Sequence, residues 1–530
     1  MSLSSLSTLE QLPAEVVAEP GPARPRGRLL DPWAIAVLTA VISGACASKP
    51  SLWYDEAATI SASASRTIPE LWRMLGHVDA VHGLFYLLMH GWFAIFPPTE
   101  FWSRIPSCLA IGAAAAGVTV FARQFTGLAS GRATAVCAGA VFAILPRTTW
   151  AGIEARPYAF AAAAAVWVTV LFVVAVRRNR PRLWLCYAPA LMLAILLSLN
   201  LMLLVPVHAA MLAFLAPKKS RKSPAVRWVV TSAVAVGIMA PFILLAHGQV
   251  RQVDWIYPIS WHYAFDISLR QYFDHSVPFA ILSAVLIVAA AAARLAGMRA
   301  PAGEMHSLLI ICALWIVIPT AFLVIYSAIN EPIYYPRYLI LTTPAMAVLL
   351  AVCIVTVARK PWHIAGVVLL FAVAALPDYL FMQRWPYAKD GWDYSQVADV
   401  ISAHAAAGDC VMVDNTVPWR PGPVRSLLAA RPAAYRPLID VGRGAYGPKV
   451  GWLWDGHVAV WLVTAKINKC TTVWTITDHD NSLPDHQAGQ SLRPGSAFGR
   501  APAYRFPAYL GFHIVERWQF HYSQVIKSTR

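Results

Sequence analysis

Apolar runs separated by short polar stretches dominate the chain from residue 33 to residue 381, at 33–49, 105–122, 133–150, 157–176, 183–199, 200–216, 228–246, 278–297, 308–328, 338–357 and 363–381. Each approaches the ~20 apolar residues that a helix needs to cross a ~30 Å hydrocarbon core. The pattern therefore predicts a polytopic α-helical membrane protein with eleven crossings. Gly83–Phe96, closed by Pro97-Pro98, is apolar but only fourteen residues long. Such a length suits an interfacial or re-entrant helix, and counting it as a crossing would invert every later loop. It is read as part of a membrane-embedded outer loop.

Charge supports that topology. The chain has 530 residues, 58% hydrophobic and 13% charged, with a net charge of +16. Mean hydropathy is +0.53. The basic residues gather in short loops, at Arg177-Arg178-Asn179-Arg180-Pro181-Arg182, Lys218-Lys219-Ser220-Arg221-Lys222 and Arg359-Lys360. Excess Lys and Arg in short loops marks the cytoplasmic side, so the charge reports orientation and implies no nucleic-acid partner. Residues 1–30, rich in Pro, Ala and Ser and lacking the apolar core of a signal peptide, read as a disordered cytoplasmic tail. Residues 31–381 form the transmembrane domain.

The period changes after Phe381. Tyr394–Ala407 has helical spacing, while Cys410–Val413, Val458–Val463 and Thr471–Ile476 are short β-rich runs bounded by Gly, Asp and Asn. Residues 382–530 thus read as a small α/β domain, placed outside the cell by the odd number of crossings. Six of the eight cysteines lie in apolar spans and only Cys410 and Cys470 fall in this domain. Both immediately precede β-rich runs. Adjacent parallel strands lie ~4.8 Å apart, within the Cα range that a disulfide tolerates, so a Cys410–Cys470 bridge is expected.

The candidate chemistry gathers on the outer side. Asp55 and Glu56 sit where the first span leaves the bilayer, and Asp79, His82 and Tyr86 follow within the same loop. Glu154, Arg156 and Tyr158 occupy a second outer turn, and Arg337 and Tyr338 open a late span beside Tyr334 and Tyr335. Carboxylates can take a proton, and Arg forks can hold a phosphate. The competing account is structural: arginines snorkelling to headgroups and tyrosines in an aromatic belt.

The order of these pieces resembles the GT-C class of membrane glycosyltransferases, in the protein-mannosyltransferase, ArnT-like and RgtA-like group. That group's acidic element after the first span is matched by Asp55-Glu56-Ala57, and its second element in part by Asp79-Ala80-Val81-His82-Gly83-Leu84-Phe85-Tyr86. Later elements are matched by Glu100 to Ser107, by Glu154-Ala155-Arg156-Pro157-Tyr158 and by Arg337-Tyr338-Leu339. Gly83 departs from the group's usual Pro-Pro.

The resemblance implies sugar transfer on the outer face of the inner (plasma) membrane. The donor would be a polyprenyl-phosphate sugar, with mannose favoured, and the acceptor a cell-envelope glycan, glycolipid or protein. Asp55 is the expected base, with Glu56 and Asp79 as further catalytic carboxylates. His82, Tyr86, Glu154, Arg156, Tyr158, Arg337 and Tyr338 are the expected substrate-binding residues. Glu56, Asp79 and Glu154 could instead orient the acceptor or support a divalent cation, although no spacing demands a metal. An arabinofuranosyltransferase of the same class and a lipid transporter or flippase are the alternatives. Against the transporter stands the absence of clear internal repeats.

Overall fold

A computed structural model describes residues 27–125, 131–215, 221–297, 303–358, 360–414 and 425–530. Nearly all of the expected N-terminal tail, and Lys218, Lys219 and Arg359 of the basic loops, lie outside the described residues.

Seven helices among the described residues are long and apolar enough to cross a membrane: Glu100–Arg123, Tyr158–Arg178, Lys222–Gly248, Val277–Leu295, Met305–Ile329, Pro336–Val357 and Pro361–Gln383. Four shorter apolar helices, Leu30–Gly44, Gly131–Ile144, Pro181–Leu197 and Leu199–Leu215, complete the set. Seven and four correspond one for one to the eleven apolar runs of the sequence. The first helix, α1 (Gly27–Gly44), packs closely on the long helix that follows the outer loop. Small residues permit it: a Cβ at Gly112 would lie 2.7 Å from the Ala36 carbonyl oxygen. Close backbone approach through small residues is how helices associate where lipid removes the hydrophobic drive.

Between α1 and that long helix the outer loop folds into α2 (Tyr54–Ser63), α3 (Ile68–Leu75) and α4 (Gly83–Phe93), before α5 (Glu100–Arg123) begins. The eleven residues of α4 would span only about 16 Å, half of a hydrocarbon core. Instead α4 buries Phe85, Tyr86 and Met89 in a small core with Leu71, Met74 and Leu75 of α3. Ile68 and Trp72 on the other face of α3 are exposed, the pattern of a helix lying in the interface.

The C-terminal part is a six-stranded sheet of β1 (Cys410–Val413), β2 (Ile439–Asp440), β3 (Thr472–Asp478), β4 (His486–Leu492), β5 (His513–Gln519) and β6 (Ser523–Thr529), in the order β2-β1-β3-β6-β5-β4. β1 runs parallel to both β2 and β3, with Cys410 opposite Ile439 and Val473, while β3, β6, β5 and β4 are antiparallel neighbours. Alternation along the strands separates two cores. Val411, Trp474, Ile476 and Val525 pack with Val397, Ala398 and Ile401 of the helix Tyr394–His404. Cys410, Met412, Val473 and Ile526 pack on the opposite face. The run Val458–Val463, expected as a strand, contains a 3-10 turn over Val460–Leu462. The Val458 N–H donates to the Gly442 carbonyl in a neighbouring loop, which takes the run out of the sheet.

Leu52, Trp53, Ala57 and Ile60 of the outer loop belong to the same core as Trp474 and Val525. The sheet domain and the first outer loop are therefore one packed unit.

Cys410 and Cys470 are joined in a disulfide with Cα atoms 6.0 Å apart. The two strands are adjacent and parallel as the spacing required, although Cys470 lies three residues before the register partner of Cys410. The bridge closes a 60-residue separation, for which the chain-entropy model gives about 4 kcal/mol. Replacing both cysteines by serine should lower the melting temperature of the purified protein, with alkylation mapping finding neither thiol free in the unreduced wild type. A double variant that melts with the wild type would remove the bridge from the domain's stability.

Candidate active site

Local sequence places each polar side chain. Trp53 is extended, so α2 starts abruptly soon after α1 with Asp55 and Glu56 in its first turn, where acidic residues suit the helix dipole. Consecutive helical residues point about 100° apart, which sends the two carboxylates to different surroundings. Arg156 precedes Pro157, a position that disfavours helical backbone, and the apolar helix begins only at Tyr158. Arg337 lies in a 3-10 turn, Pro336–Thr342, opening another span.

Glu56 is completely buried and paired with Arg104 of α5, whose Nε and Nη2 donate to its two oxygens at 2.8 and 2.6 Å. The remaining Arg104 donors reach the carbonyls of Ala47, Pro50 and Ser51 at 2.6, 2.8 and 2.9 Å. Glu56 Oε1 also accepts the Ala155 N–H at 3.1 Å. Glu154 is just as fully buried: it is paired with Lys389, and its Oε2 accepts the Trp53 indole N–H at 3.1 Å. Burial pushes the Glu154 carboxyl upward and the Lys389 ammonium opposes it. Neither glutamate lines the large cavity that Asp55 faces or the smaller one beside Arg337. Their oxygens are occupied by protein cations and N–H groups, so they do not fit the role of cation ligands. No group of three His, Cys, Asp or Glu side chains converges among the described residues.

Asp55, by contrast, faces a cavity of about 1870 Å³. Its Oδ2 lies 3.4 Å from Arg337 Nη2 and 4.0 Å from Arg156 Nε. The Arg337 guanidinium sits among aromatic rings, 5.3 Å from Trp53, 5.4 Å from Trp255, 4.8 Å from Tyr335 and 5.9 Å from Tyr158. The Nε atoms of Arg156 and Arg337 are buried without a hydrogen-bond partner among the described residues. Both arginines face inward, so neither is a snorkelling residue. Tyr334 is 1% exposed and donates to Gln271 Oε1 at 3.2 Å, which takes it out of any lipid-facing belt.

Asp79, His82 and Tyr86 form a group around Arg156. Tyr86 donates to Asp79 Oδ2 at 2.7 Å and accepts from Arg156 Nη1 at 3.0 Å. Burial raises the Asp79 carboxyl above the usual carboxylate range. Arg156 Nη2 lies 2.7 Å from His82 Nε2. A guanidinium only donates, so His82 Nε2 accepts and the ring proton belongs on Nδ1. Burial, and then the charges of Arg156 and Arg337, hold His82 well below its ordinary value and therefore neutral at pH 7. His82 Nδ1 has no partner among the described residues, leaving a donor at the cavity wall.

The cavity lining is of two kinds. Leu197, Leu199, Ile243, Leu244, Phe322 and Leu323 are apolar and come from the ends of several apolar helices. Asp55, Asp79, His82, Arg156, Tyr158, Arg337 and Tyr338 line it as well, with Trp53, Trp255 and Tyr335. Of the expected residues, Glu56, Tyr86 and Glu154 stand behind this wall rather than on it. Trp53, Trp255 and Lys389 join the site without being sequence candidates, and Tyr335, a candidate for an aromatic belt, lines the cavity instead. Trp53 adjoins the acidic pair in sequence, whereas Lys389 carries no local signal.

The apo structure of ArnT from Cupriavidus metallidurans superposes with a TM-score of 0.53 at 14% identity, covering 94% of this chain and 98% of that one. The fold is that of the GT-C membrane glycosyltransferases. The same ArnT bound to undecaprenyl phosphate gives a TM-score of 0.54, with the same identity and coverage. The Archaeoglobus fulgidus oligosaccharyltransferase gives 0.46 at 12% identity, over 84% of this chain and 69% of that one. No protein-family model and no curated protein sequence matches this chain.

The buried Glu56–Arg104 pair makes a sharp contrast with Asp55. Glu56→Ala leaves a guanidinium buried without its carboxylate and should cost about 3–5 kcal/mol, visible as a large fall in melting temperature in detergent. Asp55→Asn should melt close to the wild type. Equal melting of Glu56→Ala and wild type would show that Arg104 is held by its carbonyl partners alone.

Proposed function

We propose that this protein transfers a sugar from a polyprenyl-phosphate donor to an acceptor hydroxyl on the outer face of the membrane. One observation carries the reading: Asp55 stands close to Arg337 and Arg156 on the wall of a large cavity that apolar residues of several helices also line. A lipid carrier needs an apolar path, its phosphate needs cations and the acceptor needs a base, and these three meet here. The GT-C fold and the undecaprenyl phosphate seen in ArnT support it.

The bonding follows from the positions. Donor phosphate competes with Asp55 for the two guanidiniums and draws them onto its oxygens. Asp55, released, accepts the proton of the acceptor hydroxyl as that oxygen bonds to the anomeric carbon. The carbon–oxygen bond to phosphate breaks, and the leaving phosphate keeps the electron pair while Arg337 and Arg156 offset its charge. A single displacement inverts the anomeric centre and needs no covalent enzyme intermediate, so one base suffices. His82 Nδ1–H supplies a neutral donor to a sugar or phosphate oxygen. Charge on the leaving group is met by arginine, and the scheme uses no metal. Mannose is the favoured sugar, with arabinofuranose the alternative.

Purified protein incubated with radiolabelled polyprenyl-phosphate mannose or arabinose and envelope lipid extract should yield a labelled product. Asp55→Asn should reduce turnover by about the 10²–10⁴-fold that positioned proton transfer contributes, without loss of donor binding. Arg337→Ala should raise the donor KM more than Arg337→Lys, since a lysine retains the charge but loses the fork. Wild-type turnover in Asp55→Asn would transfer the base role to Asp79.

We place the C-terminal domain and the site outside the plasma membrane, on the asymmetry of the basic loops and the odd number of apolar helices. A cysteine introduced at Asn179 should be labelled only from the cytoplasm, and one at Asn481 only from outside. Labelling of both from one side would overturn the orientation.

A further inference from the structure

The short segment Lys389-Asp390-Gly391-Trp392 joins the last apolar helix to the sheet domain, and three of its residues are each fixed by a different contact. Lys389 is buried in its pair with Glu154. Gly391 has φ +84°, and a Cβ there would lie 2.4 Å from the His521 ring and 2.6 Å from Tyr522. Trp392 is 4% exposed, with its ring 5.1 Å from Tyr394 and 5.8 Å from Tyr522.

Asp390, held between these anchors, has φ +50°, a conformation that a non-glycine residue seldom adopts. Its side chain is exposed, and no hydrogen bond or ion pair engages it among the described residues. It lines both the large cavity and an adjoining one of about 250 Å³, which shares Tyr335 and Arg337 with the first. The fold thus presents a carboxylate with no partner among the described residues in the lining of both cavities, on the segment that leads into the sheet domain. Tyr54, Trp392 and Tyr522 line the large cavity alongside it.

We infer that Asp390, with the rings of Tyr54, Trp392 and Tyr522, forms the acceptor subsite and that the acceptor bound there is a carbohydrate. The inference deepens the glycosyltransferase reading and rests on it. A free carboxylate is acceptor-only and takes hydrogens from neighbouring hydroxyls, two oxygens to a vicinal pair. Aromatic faces carry negative charge and receive the C–H face of a sugar ring. A peptide in extended form needs alternating backbone donors and acceptors along an edge. Asp390 and the three rings are side chains and supply no such backbone edge. Position agrees with chemistry: the donor's lipid suits the apolar lining, its phosphate meets Arg337 and Arg156, and Asp390 lies on the segment that enters the sheet domain. Asp390 positions the acceptor, while proton removal stays with Asp55.

The test measures binding to the full-length protein in detergent by tryptophan fluorescence. The probes are a mannose disaccharide, an arabinose disaccharide, an acetylated tripeptide amide and undecaprenyl phosphate. At least one disaccharide should bind saturably to the wild type, tenfold or more weakly to Asp390→Asn and to Tyr522→Ala. Undecaprenyl phosphate should bind the wild type and Asp390→Asn alike, which also shows the variant to be folded. Equal disaccharide affinity in wild type and Asp390→Asn overturns the subsite. Binding of the tripeptide in place of both disaccharides, or of neither sugar, overturns the carbohydrate assignment. Failure of the wild type to bind undecaprenyl phosphate overturns the donor reading itself, and the lipid titration reveals it independently of the sugars.

Discussion

Arg104 is fully buried, and its guanidinium satisfies Glu56 and three backbone carbonyls of the chain between α1 and α2. Taking a guanidinium and a carboxylate out of water costs several kcal/mol each, which is recovered only where geometry and extra hydrogen bonds are good. Those conditions are met here, so one arginine ties the end of α1, the start of α2 and the body of α5 into a fixed arrangement. Through Ala155 the same carboxylate reaches the turn that carries Arg156. Much of the cavity's polar wall hangs from this pair.

The Asp55-Glu56 pair shows how two like residues divide their work. Glu56 points into protein and is neutralised by Arg104. Its neighbour turns toward the cavity, where two guanidiniums approach one oxygen without saturating the carboxylate. Glu154 repeats the structural half of this division: through Trp53 it supports the ring beside Arg337, and through Lys389 it reaches the sheet domain. Charges that hold the scaffold are paired at short distance, and charges that face the cavity remain available.

Hydrophobic periodicity made the membrane part legible, because a run of ~20 apolar residues has few structural outcomes. The parallel pair β1 and β3, and with it the disulfide, was also readable from two β-rich runs after cysteines. By contrast β4, with the sequence from His486 to Leu492, has mostly polar side chains and only partial burial, so no alternation announces it. The site was legible where a residue type is costly at its position, as with Asp55, Arg156 and Arg337. It was not legible where the deciding fact is a partner distant in sequence. Glu56 and Arg104 lie 48 residues apart, Glu154 and Lys389 lie 235 apart, and neither spacing has a local signature.

Contacts across the junction argue that the sheet domain is part of the site rather than an appendage. Leu52 N–H donates to Ser395 Oγ at 2.9 Å, and Ser395 N–H donates to Ser51 Oγ at 3.0 Å. Glu100 at the start of α5 accepts from Arg431 at 2.6 Å and from Ser395 at 2.5 Å. Arg66 between α2 and α3 donates to the Trp452 and Leu453 carbonyls, and Leu453 lines the cavity. Each link joins the membrane-proximal loop to a residue more than 290 positions later, so α2 and the sheet fold as a shared core around Trp53 and Trp474. The Asp55 carboxylate on α2 is then positioned from both sides, by the helix packed behind it and by the sheet domain packed against α2. Fixing a group at the end of an apolar helix requires this, because neither lipid nor water can hold a side chain in one orientation.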